Sequence, residues 1–470
     1  MRRQVLLAIA LGAAFYFLFV VVHSPRQGTE TPFHWNEIKF DRHDRILVLA
    51  PHPDDESLCC GGIIQQATTM GLPVRVVFLT YGDSNQWSFL VYRKRPVFSP
   101  KVARQMGLVR HKEALAASKA LGLSPEHLTF LGYPDFGTLP IWYSYWGNRH
   151  PFRGILTKVT TVPYQNALRP GASYKGEEIL QDLKTVLREF RPTKVFVSHP
   201  ADYNPDHRAL YLFTRVALWD LEEEIRIRPK VYPYLIHFKQ WPRPRGYHPE
   251  SFLKPPSFFK EEISWSVFHV SDRWAERKRI ALTEHKTQYG YRAKYLLSFA
   301  RADELFGDFQ AIALRPSSSP ASLLPHGAEG PEKTSEELSE QERAAFVGFE
   351  ERSAQLENGQ LVLSIKFSRP LAETVEASVY IFGYRRDRPF AQMPKLHVKF
   401  GAITHEVYDQ ERKLSQEILQ VERKPRELTL RIPLQILGDP QRILTSAQTY
   451  LGDVPLDWAS WRVLELTSGT

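Results

Sequence analysis

The chain changes its hydrophobic pattern near residue 344. Before that point, short apolar runs such as Ile46–Ala50, Val74–Thr80 and Lys194–Ser198 alternate with amphipathic stretches. Runs of this length bounded by turn residues are typical of buried strands. Residues 177–190 and 274–295 are expected to be helices, and the first has apolar residues along one face. The pattern predicts an α/β domain over residues 44–314.

Beyond residue 344, apolar and polar positions alternate one by one, as they do in residues 361–367, 396–400 and 428–434. Asn358-Gly359 is typical of a hairpin turn. We therefore predict an all-β, antiparallel sandwich over residues 344–470. It is expected to be a structural module, and binding of polysaccharide or a partner is the alternative.

Residues 315–343 separate the two patterns. They are rich in proline, serine and glutamate. Such a segment buries too little apolar surface to order itself, so we predict a disordered linker.

The N-terminal residues carry a membrane signal. Arg2 and Arg3 precede an apolar run over residues 5–22, which is near the minimum length for crossing a bilayer. A cleavable signal peptide is the alternative, but no cleavage site is evident. We expect a transmembrane helix over residues 1–22 and a stem over residues 23–43. The two arginines favour an extracytoplasmic domain, as in a bacterial inner-membrane protein that faces the periplasm, and a cytosolic domain is the alternative.

Composition narrows the function classes without selecting one. Hydrophobic residues make up 43% and charged residues 24% of the 470 positions, which is a globular composition. The net charge of +9 is compatible with an acidic partner, but no nucleic-acid module is recognisable, and we expect no nucleic-acid binding. The only cysteines, Cys59 and Cys60, are adjacent and are expected to be buried thiols.

Polar clusters follow two of the predicted strands. His52-Pro53-Asp54-Asp55-Glu56 comes directly after Ile46–Ala50, and residues 199–207 follow Lys194–Ser198. If these strands are parallel in one sheet, both clusters lie at the edge where α/β folds build their sites. His52, Asp55 and His207 then converge on one ion. Two imidazoles and a carboxylate suit Zn²⁺ and leave a fourth position open, as in catalytic sites.

These segments resemble the PIG-L/LmbE family of zinc-dependent N-acetylglucosamine deacetylases. The family's (A/P)HPDDE motif corresponds to residues 51–56, and its D-x-H-x-D-H motif corresponds to residues 202–207. Weaker matches occur in the family's order at residues 110–113, 131–135 and 278–288. The resemblance covers roughly residues 43–310 and implies an LmbE-like, Rossmann-type three-layer domain with a largely parallel sheet.

The expected mechanism assigns roles within these motifs. Asp54 takes the proton of the attacking water, and Asp206 orients a neighbouring group. Glu56 anchors the loop formed by residues 51–56, here called the motif loop. Asn204 stands where the family usually has a histidine, and an amide cannot titrate as an imidazole does. His199, five residues upstream, is one substitute.

Four residues are expected to contact substrate. Asp83, Arg110 and Asp135 follow from the resemblance. His237 is added because a turn at Trp241-Pro242 follows its predicted strand.

The resemblance implies a hydrolase that acts on the amide C–N bond of an N-acetylglucosamine moiety and releases acetate. A glycolipid, an envelope polysaccharide or a glycoconjugate is the expected substrate. Two alternatives stay open: a zinc amidase or esterase acting on another acyl group, and a non-catalytic, membrane-anchored carbohydrate-binding protein.

Overall fold

The computed structural model describes residues 35–85, 99–226, 228–256, 259, 263–316, 318–323 and 338–467. In this part of the chain, no helix has the length and apolarity that crossing a bilayer requires. The transmembrane helix predicted over residues 1–22 lies outside the described residues, as does most of the stem. The anchor therefore stays a prediction from the sequence.

The first domain is built on a largely parallel sheet. Its strands are β1 (Asn36–Glu37), β2 (Ile46–Ala50), β3 (Val74–Thr80), β4 (Leu128–Tyr133), β5 (Lys194–Ser198), β6 (Lys230–Tyr234), β7 (Ile263–His269) and β8 (Asp303–Phe309). Seven of them lie side by side in the order β7-β8-β6-β5-β2-β3-β4. The strands from β6 to β4 in this order are parallel, and β8 and β7 add antiparallel pairs beside β6.

Helices cover both faces of this sheet. They are α1 (Asp55–Thr69), α2 (Pro100–Ala120), α3 (Thr138–Ser144), α4 (Gly176–Phe190), α5 (Pro205–Leu221), α6 (Asp272–Glu284) and α7 (Lys286–Leu297). α1 and α2 pack on α6, whereas α3 and α4 pack on α5. Every residue of β2 is buried, because helices shield both sides of the strand. The predicted α/β fold with a parallel sheet is confirmed.

The single helix predicted over residues 274–295 is two helices in the structure. α6 and α7 meet at His285, whose φ of −75° and ψ of 60° are not helical. The imidazole of His285 lies 3.0 Å from Glu56 Oε1 in the motif loop. This contact joins segments far apart in the chain, so helical periodicity does not reveal the break.

The C-terminal region is a largely antiparallel sandwich. Its strands are β9 (Ile312–Leu314), β10 (Ala321–Ser322), β11 (Phe349–Glu357), β12 (Gln360–Phe367), β13 (Val375–Tyr384), β14 (Lys395–Phe400), β15 (His405–Asp409), β16 (Arg412–Leu414), β17 (Gln420–Lys424), β18 (Glu427–Pro433), β19 (Arg442–Leu451) and β20 (Val454–Leu466). One sheet has the order β10-β11-β12-β18-β17, and the other has the order β16-β15-β14-β13-β19-β20-β9. Asn358 and Gly359, both with positive φ, turn the chain between β11 and β12 as predicted.

The structure differs from the predicted domain boundaries. β9 pairs in parallel with β20 of the sandwich, although the sequence predicts that residues 312–314 belong to the α/β domain. Within the predicted linker, β10 pairs with β11, and a further helix, α8 (Glu340–Ala345), begins with a capping box. These segments gain backbone partners or a helix cap that their composition does not indicate. Residues 324–337 of the linker lie outside the described residues.

The two domains share a hydrophobic core. The seven-stranded sheet packs on the five-stranded sheet with one face and on α3 and α5 with the other. Trp142 on α3 is fully buried, and its ring centroid lies 5.2 Å from that of Phe390 and 6.1 Å from that of Trp461. Nine of the ten residues of β13 are buried, because the strand is covered on both faces. Residues 37–470 accordingly form one compact unit.

Candidate metal and catalytic site

The two polar segments lie at a topological switch point of the sheet. β2 and β5 are adjacent and parallel, and the chain continues to β3 on one side and to β6 on the other. The loops after β2 and β5 therefore face each other across the carboxyl edge of the sheet. α1 begins at Asp55 and α5 at Pro205, so both helices start at this edge.

The three predicted metal ligands come together here. Asp55 Oδ2 lies 3.1 Å from His207 Nε2 and 3.2 Å from His52 Nδ1. All three side chains are buried. The structure thus brings the ligands of the first motif and of the second motif to one point, as the parallel arrangement of β2 and β5 requires.

Each of the two histidines has a carboxylate at its other ring nitrogen. His207 Nδ1 lies 3.2 Å from Asp202 Oδ2. His52 Nε2 lies 3.2 Å from Asp135 Oδ1 and 3.2 Å from Asp206 Oδ2. Carboxylates in this position orient a ligating imidazole and raise its basicity. We interpret these three aspartates as supports for the imidazoles.

The residues present fit a divalent cation. Both ring nitrogens of His207 are buried, and each faces a carboxylate oxygen at 3.1 or 3.2 Å without the geometry of a hydrogen bond in the described part of the chain. Burial lowers the pKa of His207, but the carboxylates of Asp202 and Asp55 outweigh it and raise the pKa to about 9. The site therefore attracts positive charge, which a metal ion supplies when neutral imidazoles are its ligands. Two imidazole nitrogens and one carboxylate oxygen are a donor set typical of catalytic Zn²⁺.

Asp54 lies on a strained backbone beside Asp55. Its φ of 137° is a value that residues with a side chain rarely adopt. The Asp54 N–H donates to Glu56 Oε2 at 3.0 Å, and Asp54 Oδ1 lies 3.3 Å from Arg110 Nη2. Burial raises the pKa of Asp54 to about 6, although the Arg110 guanidinium opposes that rise. The strained turn directs the neighbouring carboxylates apart: Asp55 faces the histidines and Asp54 faces Arg110.

Arg110 and Glu56 hold the motif loop. The buried Arg110 guanidinium donates to the Pro53 carbonyl at 2.7 Å and to the Gly82 carbonyl at 3.0 Å. A Cβ at Gly82 would overlap that guanidinium, and the φ of Gly82 is +62°, so glycine is needed there. Glu56 lies 3.0 Å from His285, which ties the loop to the start of α7. The substrate contact expected of Arg110 stays a prediction.

Asp83 and Asp135 are buried carboxylates next to the site. Asp83 accepts a hydrogen bond from the Tyr164 hydroxyl, and burial raises its pKa to about 7, with a further rise from Asp135. Asp135 Oδ2 accepts from the Ser84 N–H at 2.8 Å. Both carboxylates are at most 2% exposed. The structure places them as supports of the loops, and their predicted substrate contacts stay predictions.

Asn204 and Asp206 organise the start of α5. The Asn204 Oδ1 accepts from the Asp206 N–H at 2.9 Å and caps the helix. Asp206 accepts from the Phe136 N–H at 2.6 Å and from the N–H and hydroxyl of Thr138. Asp206 therefore connects the loop after β4 to His52, and the oxygen of Asn204 is used for helix capping.

His237 connects this site to a cleft of about 1380 Å³ between the two domains. Its Nδ1 lies 3.2 Å from Asp202 Oδ1, and its ring centroid lies 4.6 Å from that of His207. Among the four residues expected to contact substrate, His237 is the one that lines this cleft. By contrast, His199 lies against Phe309, with ring centroids 5.0 Å apart.

Two parts of this arrangement are not predicted from the sequence, namely the role of Asp202 and the cleft wall from the β-sandwich. The sequence identifies Asp202 only as the first residue of its motif, yet in the structure it faces both His207 and His237. A carboxylate in the same loop as a histidine ligand is the signal that points to it. The cleft wall formed by β20, which includes Trp458, carries no such signal, because only the packing of the two domains brings it here.

Comparison with protein families agrees with the position of these segments. Residues 47–218 match the family model described as PIG-L, GlcNAc-PI de-N-acetylase. A Bacillus anthracis protein named "Probable N-acetyl-alpha-D-glucosaminyl L-malate deacetylase 2" is 29% identical over 185 residues, which are 36% of this chain and 74% of that protein.

Two further similarities cover smaller or more divergent regions. A protein of Mycobacterium sp. (strain KMS), named 1D-myo-inositol 2-acetamido-2-deoxy-alpha-D-glucopyranoside deacetylase, is 37% identical over 90 residues, or 19% of this chain and 28% of that protein. The solved structure of N,N'-diacetylchitobiose deacetylase from Pyrococcus horikoshii is 19% identical, with a TM-score of 0.35 over 56% of this chain and 82% of that one. Since the family match spans both polar segments of the site, this chain contains a PIG-L family domain.

Proposed function

We propose that this protein hydrolyses the acetamide of an N-acetylglucosamine moiety, leaving a free amine and acetate. The observation that carries the proposal is the convergence of His52, Asp55 and His207 at the switch point, with Asp54 beside them. The names of the relatives support the choice of an acetamide on an amino sugar.

We further propose that His52, Asp55 and His207 hold Zn²⁺. When bound, the ion would lower the pKa of a water molecule and polarise the acyl carbonyl. Asp202 keeps His207 in the orientation that a ligand needs, and Asp135 and Asp206 do the same for His52.

Asp54 is the proposed general base. Its strained backbone points its carboxylate away from the ligand position that Asp55 occupies, and Arg110 stabilises its ionised form. Asp54 takes the proton of the attacking water and returns it to the departing amine nitrogen. Asp54 thereby takes the proton-donating role of the histidine that the family usually carries at the position of Asn204. The side-chain oxygen of Asn204 itself caps α5.

The proposed membrane location and substrate class rest on the sequence alone. The apolar run over residues 5–22 supports a membrane anchor, and Arg2 and Arg3 support an extracytoplasmic domain. We propose a glycolipid, an envelope polysaccharide or another glycoconjugate as the substrate, because an anchored enzyme meets such molecules at the membrane surface.

Acetate release tests the proposal. The zinc-loaded protein is incubated with N-acetylglucosamine conjugates, and the Asp54→Asn variant is the matched comparison. We expect acetate from the wild type and a rate about 10²–10⁴-fold lower from Asp54→Asn, with equal zinc content. Release of a larger acid from another amide would favour the amidase alternative, and absence of any hydrolysis in the zinc-loaded protein would contradict the proposal.

A further inference from the structure

The cleft that begins at His237 has walls from both domains. Tyr203, Arg208 and Tyr295 come from the α/β domain, and Tyr450 and Trp458 come from the β-sandwich. Because the domains share a core around Trp142, this wall is a fixed part of the molecule. The β-sandwich thus borders the approach to the candidate catalytic site.

Positive charge is concentrated in this cleft. Six cationic side chains line it, namely Arg208, Lys239, Arg243, Arg245, Arg292 and Lys294, together with two carboxylates, Asp453 and Asp457. None of the six cations forms an ion pair with a carboxylate in the ranges that the structure describes. The lining therefore carries an excess of positive charge, and such an excess raises the local concentration of anions.

Arg208 is the cationic residue of the cleft that lies nearest in sequence to the candidate metal ligands. It directly follows His207 on α5, so it lies close to the candidate ligands. Its guanidinium lies 4.3 Å from the ring centroid of Trp458 in the β-sandwich. Its Nε is buried and has no hydrogen-bond partner among the described residues. A partly buried guanidinium without an anion is costly, and a bound anion would remove that cost.

Arg245 repeats this arrangement further along the cleft. Its guanidinium lies 4.6 Å from the ring centroid of Tyr295, and its Nη1 is buried without a hydrogen-bond partner in the described part of the chain. Arg208 and Arg245 line the same cleft, one on each side of His237 in the sequence. Planar guanidinium groups match carboxylate and phosphate oxygens.

Aromatic side chains supply the rest of the lining near Arg208. Tyr203 meets Trp458 edge to face, with ring centroids 5.9 Å apart, and lies 5.1 Å from the ring of Phe238. Such rings offer apolar faces to sugar rings and keep a polar edge in water. The combination suits a sugar chain that carries negative charge.

We propose that the interdomain cleft binds the anionic sugar residues next to the N-acetylglucosamine moiety, and that Trp458 of the β-sandwich takes part in this binding. The inference rests on the proposed function for the position of the reacting sugar. The shared chemistry of the ligand is an anion attached to a sugar, either a uronate carboxylate or a phosphate ester.

Calorimetric titration of the metal-free full chain with three probes tests the proposal without turnover. The probes are a tetrasaccharide of alternating glucuronic acid and N-acetylglucosamine, N-acetylglucosamine 1-phosphate, and neutral tetra-N-acetylchitotetraose. We expect at least one anionic probe to bind about tenfold more tightly than the neutral one, and its identity distinguishes carboxylate from phosphate recognition. This preference is expected to shrink as salt rises.

Variants locate the binding. Arg208→Gln and Arg245→Gln are each expected to weaken the preferred anionic probe by about fivefold to tenfold. Trp458→Ala is expected to weaken every probe that binds. Arg388→Gln, an exposed arginine of the β-sandwich outside the cleft, is the matched control and is expected to bind as the wild type does.

The outcomes separate the two proposals. Equal affinity for anionic and neutral probes, no binding of any probe, or unchanged binding in folded Arg208→Gln and Arg245→Gln would overturn the cleft assignment. Acetate release measured separately would still support the proposed function. Tight anionic binding without acetate release from the zinc-loaded protein would retain the cleft assignment and reject the deacetylase.

Discussion

Replacing Asp202 by asparagine removes the carboxylate that supports His207. In the structure, Asp202 Oδ2 accepts from the N–H groups of Ile236 at 3.0 Å and His237 at 2.9 Å, and it lies 3.2 Å from His207 Nδ1. Asp202 Oδ1 accepts from the Asn204 N–H at 2.9 Å. Both oxygens therefore face donors, so the amide nitrogen of asparagine must face at least one N–H group.

This geometry sets the magnitude of the effect. One buried donor left without an acceptor costs about 1–3 kcal/mol of the free energy of unfolding. Loss of the carboxylate behind a ligating histidine lowers metal affinity by about 10–100-fold. We therefore expect Asp202→Asn to be folded, less stable and weaker in zinc binding than the wild type.

Two measurements test this expectation. Competition with a chromogenic chelator gives the zinc dissociation constant, and urea unfolding of the metal-free protein gives the free energy of unfolding. Asp387→Asn is the control, since that exposed carboxylate pairs only with Arg385 among the described residues. An unchanged zinc dissociation constant in folded Asp202→Asn would refute the view that Asp202 supports a metal ligand.

Two further predictions concern stability. Burial raises the pKa of Asp303 to about 7, so the folded state keeps a proton that the unfolded state loses above its ordinary value. The free energy of unfolding should therefore fall as pH rises from about 4 to 7, by at most about 4 kcal/mol. Asp303→Asn should flatten the dependence of the urea midpoint on pH. A dependence as steep as that of the wild type would contradict this prediction. Trp142→Ala should lower the free energy of unfolding, measured in urea, by about 3–5 kcal/mol, because it opens a cavity between the domains. A decrease below about 1 kcal/mol would show that the shared core does not stabilise the protein.

The part of the candidate site that depends on local sequence patterns was predictable. His52, Asp55 and His207 follow strands whose apolar runs identify them as buried. The structure shows that these strands are parallel, and parallel strands bring their carboxyl ends to one edge. Sequence did not assign Asp202 to His207 or Asp135 to His52. Those pairings depend on side-chain directions after the loops have folded, which spacing alone does not specify.

The sequence by itself determined the two-domain pattern, the parallel strands and the residues that form the candidate metal site, because these follow from local periodicity and from the chemistry of adjacent side chains. Only the tertiary structure decided the break at His285, the addition of β9 to the sandwich, and the packing of β13 between the domains. Each depends on partners distant in the chain. For the same reason, the cleft that joins Arg208 to Trp458 exists only once the two domains have packed.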